Sequence, residues 1–346
     1  MKDGVLEGDI SARSLDKDQN LLVEQYVEEI RAHKRRGVAR AITLIESSRP
    51  EQAAVGQSIL DQLLPDSGNA LRIGITGPPG VGKSTFIEGL GLLLVEKGLR
   101  VAVLAVDPSS PVTGGSILGD KTRMETLSQS DSAFVRPSPS GGSLGGVAHR
   151  TREVMLLCEA AGYDVILIET VGIGQSEVTV SSMVDFFLVL LLPAGGDQLQ
   201  GIKRGVMELA DLLVVNKADG PTQLLAEKTR QEYDSALSLI RPSSKAWQPR
   251  ALLSSALERE GLSEIWSAVE SHHEALQSTG EFSQRRREQS RNWMWSLLNR
   301  GLREALDTDP KVAEALPQLE KDVQEQRRTP ASAAQEILND FLGQSH

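Results

Sequence analysis

The run Gly77-Pro78-Pro79-Gly80-Val81-Gly82-Lys83-Ser84-Thr85 constrains this chain more than any other stretch. It fits G-x-x-x-x-G-K-[ST], follows the strand candidate Leu71–Thr76 and opens a stretch of helical spacing, Lys83–Lys97. Glycines in such a loop let backbone N–H groups close around a phosphate at the positive end of the helix. Lys83 then reaches the β- and γ-phosphates, and the Ser84 hydroxyl binds Mg2+.

The surrounding pattern agrees with that reading. Strands are expected at Leu71–Thr76, Val101–Asp107, Val165–Glu169, Phe186–Leu192, Leu212–Val215 and Ala251–Ser254. Several are continuously apolar, as strands covered on both faces are. Helical spacing falls between them at Val147–Ala161, Ile202–Ala210, Thr222–Leu239 and Leu262–Leu276. This alternation predicts an α/β fold: a doubly wound, mainly parallel sheet of the P-loop NTPase type. Helical extensions flank it, which divides the chain into residues 1–66, 67–280 and 281–346. In the last segment Trp293, Trp295, Leu297, Leu298, Leu302 and Leu306 lie on one amphipathic helix, either folded back as a cap or serving as an oligomerisation arm.

Composition excludes several classes. A net charge of −10 argues against a nucleic-acid-binding surface. The single cysteine, Cys158, rules out an internal disulfide and lies in an apolar helical stretch as a buried small hydrophobe. The longest apolar run, Phe186 to Leu192, is far short of the roughly 20 residues that cross a bilayer. With no signal-peptide pattern at the N-terminus, a cytoplasmic protein is expected.

The base is read further along. Asn216-Lys217-Ala218-Asp219 closes a later strand as N-K-x-D. A carboxylate at Asp219 accepts from both N1–H and the 2-amino group of guanine, donors that adenine lacks. Lys217 would cover the base, and Asn216 would tie this loop to the phosphate loop. After the next strand, Ser255 and Ala256 resemble the segment whose backbone N–H meets the guanine oxygen. The bound nucleotide is therefore expected to be GTP or GDP. Glu169 ends a hydrophobic strand where an acid serves Mg2+ directly or through water, and the Gly172 N–H would meet the γ-phosphate. The bland alternative for Glu169 is a helix cap. Ile173 stands where Ras-like proteins place the glutamine that orients water, so hydrolysis is expected to be slow until a partner accelerates it.

Two longer runs narrow the family. Asp107-Pro108-Ser109-Ser110-Pro111 leads into the stretch from Thr113 to Met124, and Glu169-Thr170-Val171-Gly172-Ile173-Gly174-Gln175-Ser176-Glu177 follows. Together they closely resemble the MeaB/ArgK GTPases, G-protein chaperones of adenosylcobalamin-dependent methylmalonyl-CoA mutase and its relatives. The resemblance implies that Asp107 and Asp120 serve the Mg2+ shell or the attacking water, and paired carboxylates beside a triphosphate do favour an intervening cation. The alternatives are a turn role for Asp107 and a helix cap at Lys121–Leu127 for Asp120. The loop Pro193–Lys203 resembles the family's extra switch, with Lys203 approaching the switch acids or the nucleotide unless it is simply solvated. Pro78-Pro79 removes the second, trans-acting lysine of many dimeric ATPases, so nucleotide sandwiched between protomers is not expected. The resemblance implies a homodimer through the C-terminal helices instead.

No D-x-H-x-x-G cobalamin motif surrounds any of the five histidines, so the mutase would be a separate chain. His272-His273 lacks a spaced third ligand for a metal. The expected function is a GTP-hydrolysing chaperone that gates cobalamin loading and protects an acyl-CoA mutase. Competing readings are an ATP-dependent kinase acting on periplasmic amino-acid transport proteins, which the guanine loop opposes, and metal insertion, which lacks Cys/His clusters here.

Overall fold

The structure is a computed structural model and describes residues 15–106, 124–136, 144–170, 176–193, 204–240, 242 and 244–343. Its centre is a seven-stranded, all-parallel sheet in the order β3-β2-β4-β1-β5-β6-β7. The strands are β1 (Leu71–Thr76), β2 (Val101–Val106), β3 (Ala133–Arg136), β4 (Val165–Thr170), β5 (Phe186–Leu191), β6 (Leu212–Val215) and β7 (Arg250–Leu253). Residues of β2, β4, β5 and β6 are buried throughout, which is why these strands read as unbroken apolar runs. The four-residue β3, Ala-Phe-Val-Arg, has no such run and escaped the sequence reading, yet it pairs in parallel with β2. Some ends also shift by one residue: β5 stops at Leu191, and β7 begins at Arg250 and stops at Leu253.

Alternation along each strand sends successive side chains to opposite faces. One face packs Ile73, Ile75, Leu167, Leu188 and Val214 against α4 (Lys83–Glu96) and α10 (Leu262–Thr279). The other packs Ile166, Ile168, Phe187 and Val215 against α6 (Leu144–Ala160) and the N-terminal helices α1 (Lys17–Arg31), α2 (Arg35–Ile45) and α3 (Pro50–Leu63). Asp16 starts α1 with a capping box, its carboxylate accepting from Gln19 N at 2.8 Å. Val23, Val27 and Ile30, at helical spacing, bury the inner side of that helix.

Charges are also buried near the strand starts. Arg72 binds Glu159 through Nε–Oε1 at 2.7 Å and Nη2–Oε2 at 2.9 Å, and Glu159 also accepts from Gly68 N at 2.9 Å. Burial disfavours the Arg72 guanidinium, but the Glu159 carboxylate more than offsets it and holds its pKa above the usual value. Asp185 and Asp211 accept from the backbone N–H groups of Arg72 and Phe187, fastening neighbouring segments. Cys158 is fully buried, and burial pushes its thiol pKa up.

The chain divides into two compact units, Met1–Phe282 and Ser283–His346. In the second, α12 (Pro310–Gln324) and α13 (Pro330–Phe341) pack together around Val312, Leu319 and Ala333. Each starts at a proline, behind the capping side chains of Asp309 and Thr329. Met294, Trp295, Leu298 and Leu302 on α11 (Glu281–Thr308) are exposed. No helix among the described residues is long and apolar enough to cross a membrane.

Candidate nucleotide site

β1 lies at the middle of the sheet between β4 and β5, and the loops that follow these strands open onto its carboxyl edge. In open α/β sheets ligands bind where the strand order reverses, and here that point falls on β1. The loop leaving β1 is built from its glycines. Gly77 has φ +156°, and a Cβ there would lie 2.6 Å from the Leu190 carbonyl oxygen on β5. Gly82, at φ +91°, caps α4 with backbone alone, leaving the first-turn N–H groups facing the loop. Pro78, Pro79, Gly80 and Val81 form the arch between them, with Val81 N donating to Pro78 O at 3.3 Å. Lys83 Nζ reaches back to the carbonyls of Gly77 at 2.9 Å and Pro78 at 3.3 Å, so its charge lies over the arch. Thr85 follows in the first turn of the helix.

Glu169, the penultimate residue of β4, is buried and meets this loop from the neighbouring strand. Its Oε1 lies 3.4 Å from the Ser84 hydroxyl. A hydroxyl and a carboxylate side by side at the mouth of an anion-binding loop are the oxygen donors that suit a hard divalent cation.

One buried side chain ties the later loops to this one. Asn216 Nδ2 donates to the Val81 carbonyl at 2.8 Å, and its Oδ1 accepts from Ala256 N at 3.0 Å. One amide thereby joins the phosphate loop, the loop after β6 and the loop after β7. Lys217 is exposed and adopts φ +59°. Asp219 accepts a short hydrogen bond from the Ser255 hydroxyl. Thr222 Oγ1 donates to the carbonyls of Lys217 at 2.5 Å and Asp219 at 2.8 Å, closing the turn that presents this carboxylate. From sequence Ser255 was of interest for its backbone, and its side-chain grip on Asp219 had no signal there.

Asp107, Asp120, Gly172 and Lys203 lie outside the described residues. The helix near Asp120 is described from Glu125, with Met124 at its N-cap. His272, set aside as a metal ligand from its spacing, is buried between the rings of Phe186 and Trp247, with Nε2 3.5 Å from Asp211 Oδ1. Among the described residues no cluster of His, Cys, Asp and Glu is arranged to hold a metal.

Residues 38–311 match the family model described as "Methylmalonyl Co-A mutase-associated GTPase MeaB". The chain belongs to the MeaB family. A probable GTPase of Mycobacterium tuberculosis is 54% identical over 309 residues, which cover 89% of this chain and 92% of the relative. The mitochondrial methylmalonic aciduria type A homolog of Mus musculus is 44% identical over 336 residues, covering 94% and 81%. Among solved structures, one titled as a LAO/AO transport system kinase superposes with a TM-score of 0.77 at 38% identity, covering 95% of this chain and 99% of that one. As a MeaB-family member the chain is a GTPase, and GTP and GDP are its nucleotides. The phosphate loop, the Glu169 strand end and the Asn216–Asp219 loop all lie within the span matched by the family model.

Proposed function

We propose that this GTPase gates cobalamin loading and protection of a separate adenosylcobalamin-dependent acyl-CoA mutase. The observation that carries the site assignment is Asn216, whose amide holds Val81 at 2.8 Å and Ala256 at 3.0 Å. With phosphate loop and base loops pinned together, the Asp219 carboxylate reads guanine while the first-turn N–H groups of α4 cradle phosphate. Ser84 and Glu169 would hold Mg2+, which when bound neutralises charge on the β- and γ-phosphates. Lys83 spreads positive charge over the same phosphates, and the Asn216 clamp keeps the base from sliding along the loop. Asp107, Asp120, Gly172 and Lys203 are proposed as the switch residues that complete hydrolysis. The client assignment is supported by the family's description and by the methylmalonic aciduria type A relative.

The exposed stripe of Met294, Trp295, Leu298 and Leu302 supports homodimerisation through the C-terminal helices. The similarity to a solved LAO/AO transport system kinase favours a second reading, ATP-dependent phosphorylation. The Asp219 loop speaks against it, because adenine lacks the donors that this carboxylate would accept.

The test combines the purified chain with an adenosylcobalamin-dependent methylmalonyl-CoA mutase. GTP turnover, slow alone, should rise on adding the mutase, and cofactor exchange on the mutase should differ between GTP and GDP. Turnover and exchange that ignore the other protein would overturn the chaperone reading. Tighter binding of ATP than of GTP would overturn the guanine assignment.

A further inference from the structure

At the carboxyl edge of the sheet four residues stand in one row across neighbouring strands. Val106 on β2 is in register with Thr170 on β4, and Thr76 on β1 with Val189 on β5. Both valines belong to the apolar core on the face of the sheet covered by α6 and the N-terminal helices. The two threonines in the middle of the row are themselves buried, at 1% exposure for Thr76 and 0% for Thr170. Valine has nearly the shape of threonine and none of its hydroxyl's desolvation cost, so an apolar row would favour valine at all four places. Instead the Thr170 hydroxyl donates a hydrogen bond to the Thr76 hydroxyl oxygen at 2.7 Å.

Their positions in the chain give that contact a use. Thr76 immediately precedes Gly77, where the phosphate loop begins, and Thr170 immediately follows Glu169. Alternation turns Glu169 to the opposite face from Thr170, where its Oε1 meets Ser84 at 3.4 Å. Rotation of the last peptides of β4 would swing both side chains together. A directional bond at Thr170 therefore fixes the angle at which Glu169 approaches Ser84, which packing of a symmetric methyl pair would not.

We propose that Thr170 and Thr76 form a positioning pair that sets Glu169 against Ser84 for the GTPase reaction without touching the nucleotide. The inference rests on the reading of Glu169 as a Mg2+-shell acid. It extends that reading to two hydroxyls on the far side of the sheet.

The test uses full-length Thr170→Val, Thr76→Val, the double variant, Thr170→Ser and Glu169→Gln. Three quantities are compared: half-saturating Mg2+ for GTP hydrolysis, Mg2+-free GDP affinity and melting temperature. Each valine variant should raise half-saturating Mg2+ up to about tenfold, the range spanned by one hydrogen bond, with GDP affinity within about twofold. The double variant should be no worse than the singles, and Thr170→Ser should recover most of the loss. A valine variant with lowered melting temperature but unchanged Mg2+ dependence makes the pair merely structural and overturns the proposal, as does Thr170→Ser behaving like Thr170→Val. If Thr170→Val fails to fold, Thr76→Val carries the same comparison. Unchanged Mg2+ dependence in Glu169→Gln would sink the Glu169 reading and the pair with it. A shift there with none in the valine variants defeats the pair alone.

Discussion

The Ser255 hydroxyl donates a short hydrogen bond to the Asp219 carboxylate, although the residues are 36 positions apart. Asp219 begins the turn after β6, and Ser255 is buried in the loop after β7. The bond orients the one carboxylate that would face the guanine edge.

Ser255→Ala should therefore weaken GDP binding by about threefold to tenfold, the net worth of one ordinary hydrogen bond, without changing base preference. Asp219→Asn should do the reverse, losing GTP and gaining xanthosine triphosphate. Competition titrations with guanine, xanthine and adenine nucleotides would separate the two effects. An unchanged guanine preference in Asp219→Asn would refute the assignment of this loop.

Asn216 carries more. Its amide is 1% exposed and satisfies Val81 O and Ala256 N at once. Removing it strands two buried backbone groups, at about 1 to 3 kcal/mol each when unsatisfied. Asn216→Ala should lower the melting temperature and speed GDP release together. Asn216→Asp should fail similarly, because its carboxylate has no proton to offer Val81 O. Stopped-flow release of a fluorescent GDP analogue, beside thermal melting, checks both.

The Arg72–Glu159 pair makes a prediction about stability alone. With the carboxylate buried and the guanidinium largely so, Glu159→Ala leaves Arg72 without its hydrogen-bonded partner and should cost about 3 kcal/mol. Replacing both residues with apolar side chains of similar volume, as in Arg72→Met with Glu159→Leu, should recover much of that. Urea unfolding of the singles and the double variant gives the comparison, and additive losses would contradict it.

Tyr163 gives the chain a defined alkaline weakness. Burial first, and the nearby Cys158 thiol second, push its phenol from 10.0 up to about 12, although Arg100 stacks 4.7 Å from its ring. The unfolded chain releases this proton near 10.0 and the folded chain only near 12, so the folded state holds more protons between those values. Stability should thus fall as pH rises through that window, by up to about 3 kcal/mol. Tyr163→Phe should reduce that fall without abolishing it, because the buried Cys158 thiol, pushed up further from its ordinary value, contributes over the same range. Equal slopes in chemical denaturation at pH 9 to 12 would show that Tyr163 is not the group responsible.

The parts of this molecule legible in the sequence were those with a strong local signature. Leu71–Thr76, apolar or β-branched apart from Arg72 and Gly74, ends on a glycine-bounded loop, so strand, loop and helix were all read at their places. β3 was not read, because Ala133–Arg136 holds only three apolar residues and owes its pairing to β2 beside it. Helix α6 begins at Leu144 rather than Val147, since Gly145 and Gly146 hide its first turn from a periodicity argument. For the proposed site, Lys83, Ser84, Glu169, Asn216 and Asp219 were legible from motif spacing, which points to residues near a ligand. Ser255's hydroxyl and the Thr76–Thr170 contact were not, because each joins segments far apart in the chain. Only tertiary pairing creates such contacts.

The joint between the N-terminal helices and the sheet has a consequence for how such chains can diverge. Gly162 adopts φ +73°, and a Cβ there would lie 2.5 Å from His33 Cε1, while His33 Nδ1 lies 2.8 Å from Ala161 O. Glu159, three residues earlier, binds Gly68 N. A crossover between two relatives just before β1 would therefore inherit mismatched halves of one lock. Chimeras that carry His33 and residues 159–162 from the same parent should express as soluble protein, and those that split them should not. Recombination, more than point substitution, is what this joint resists.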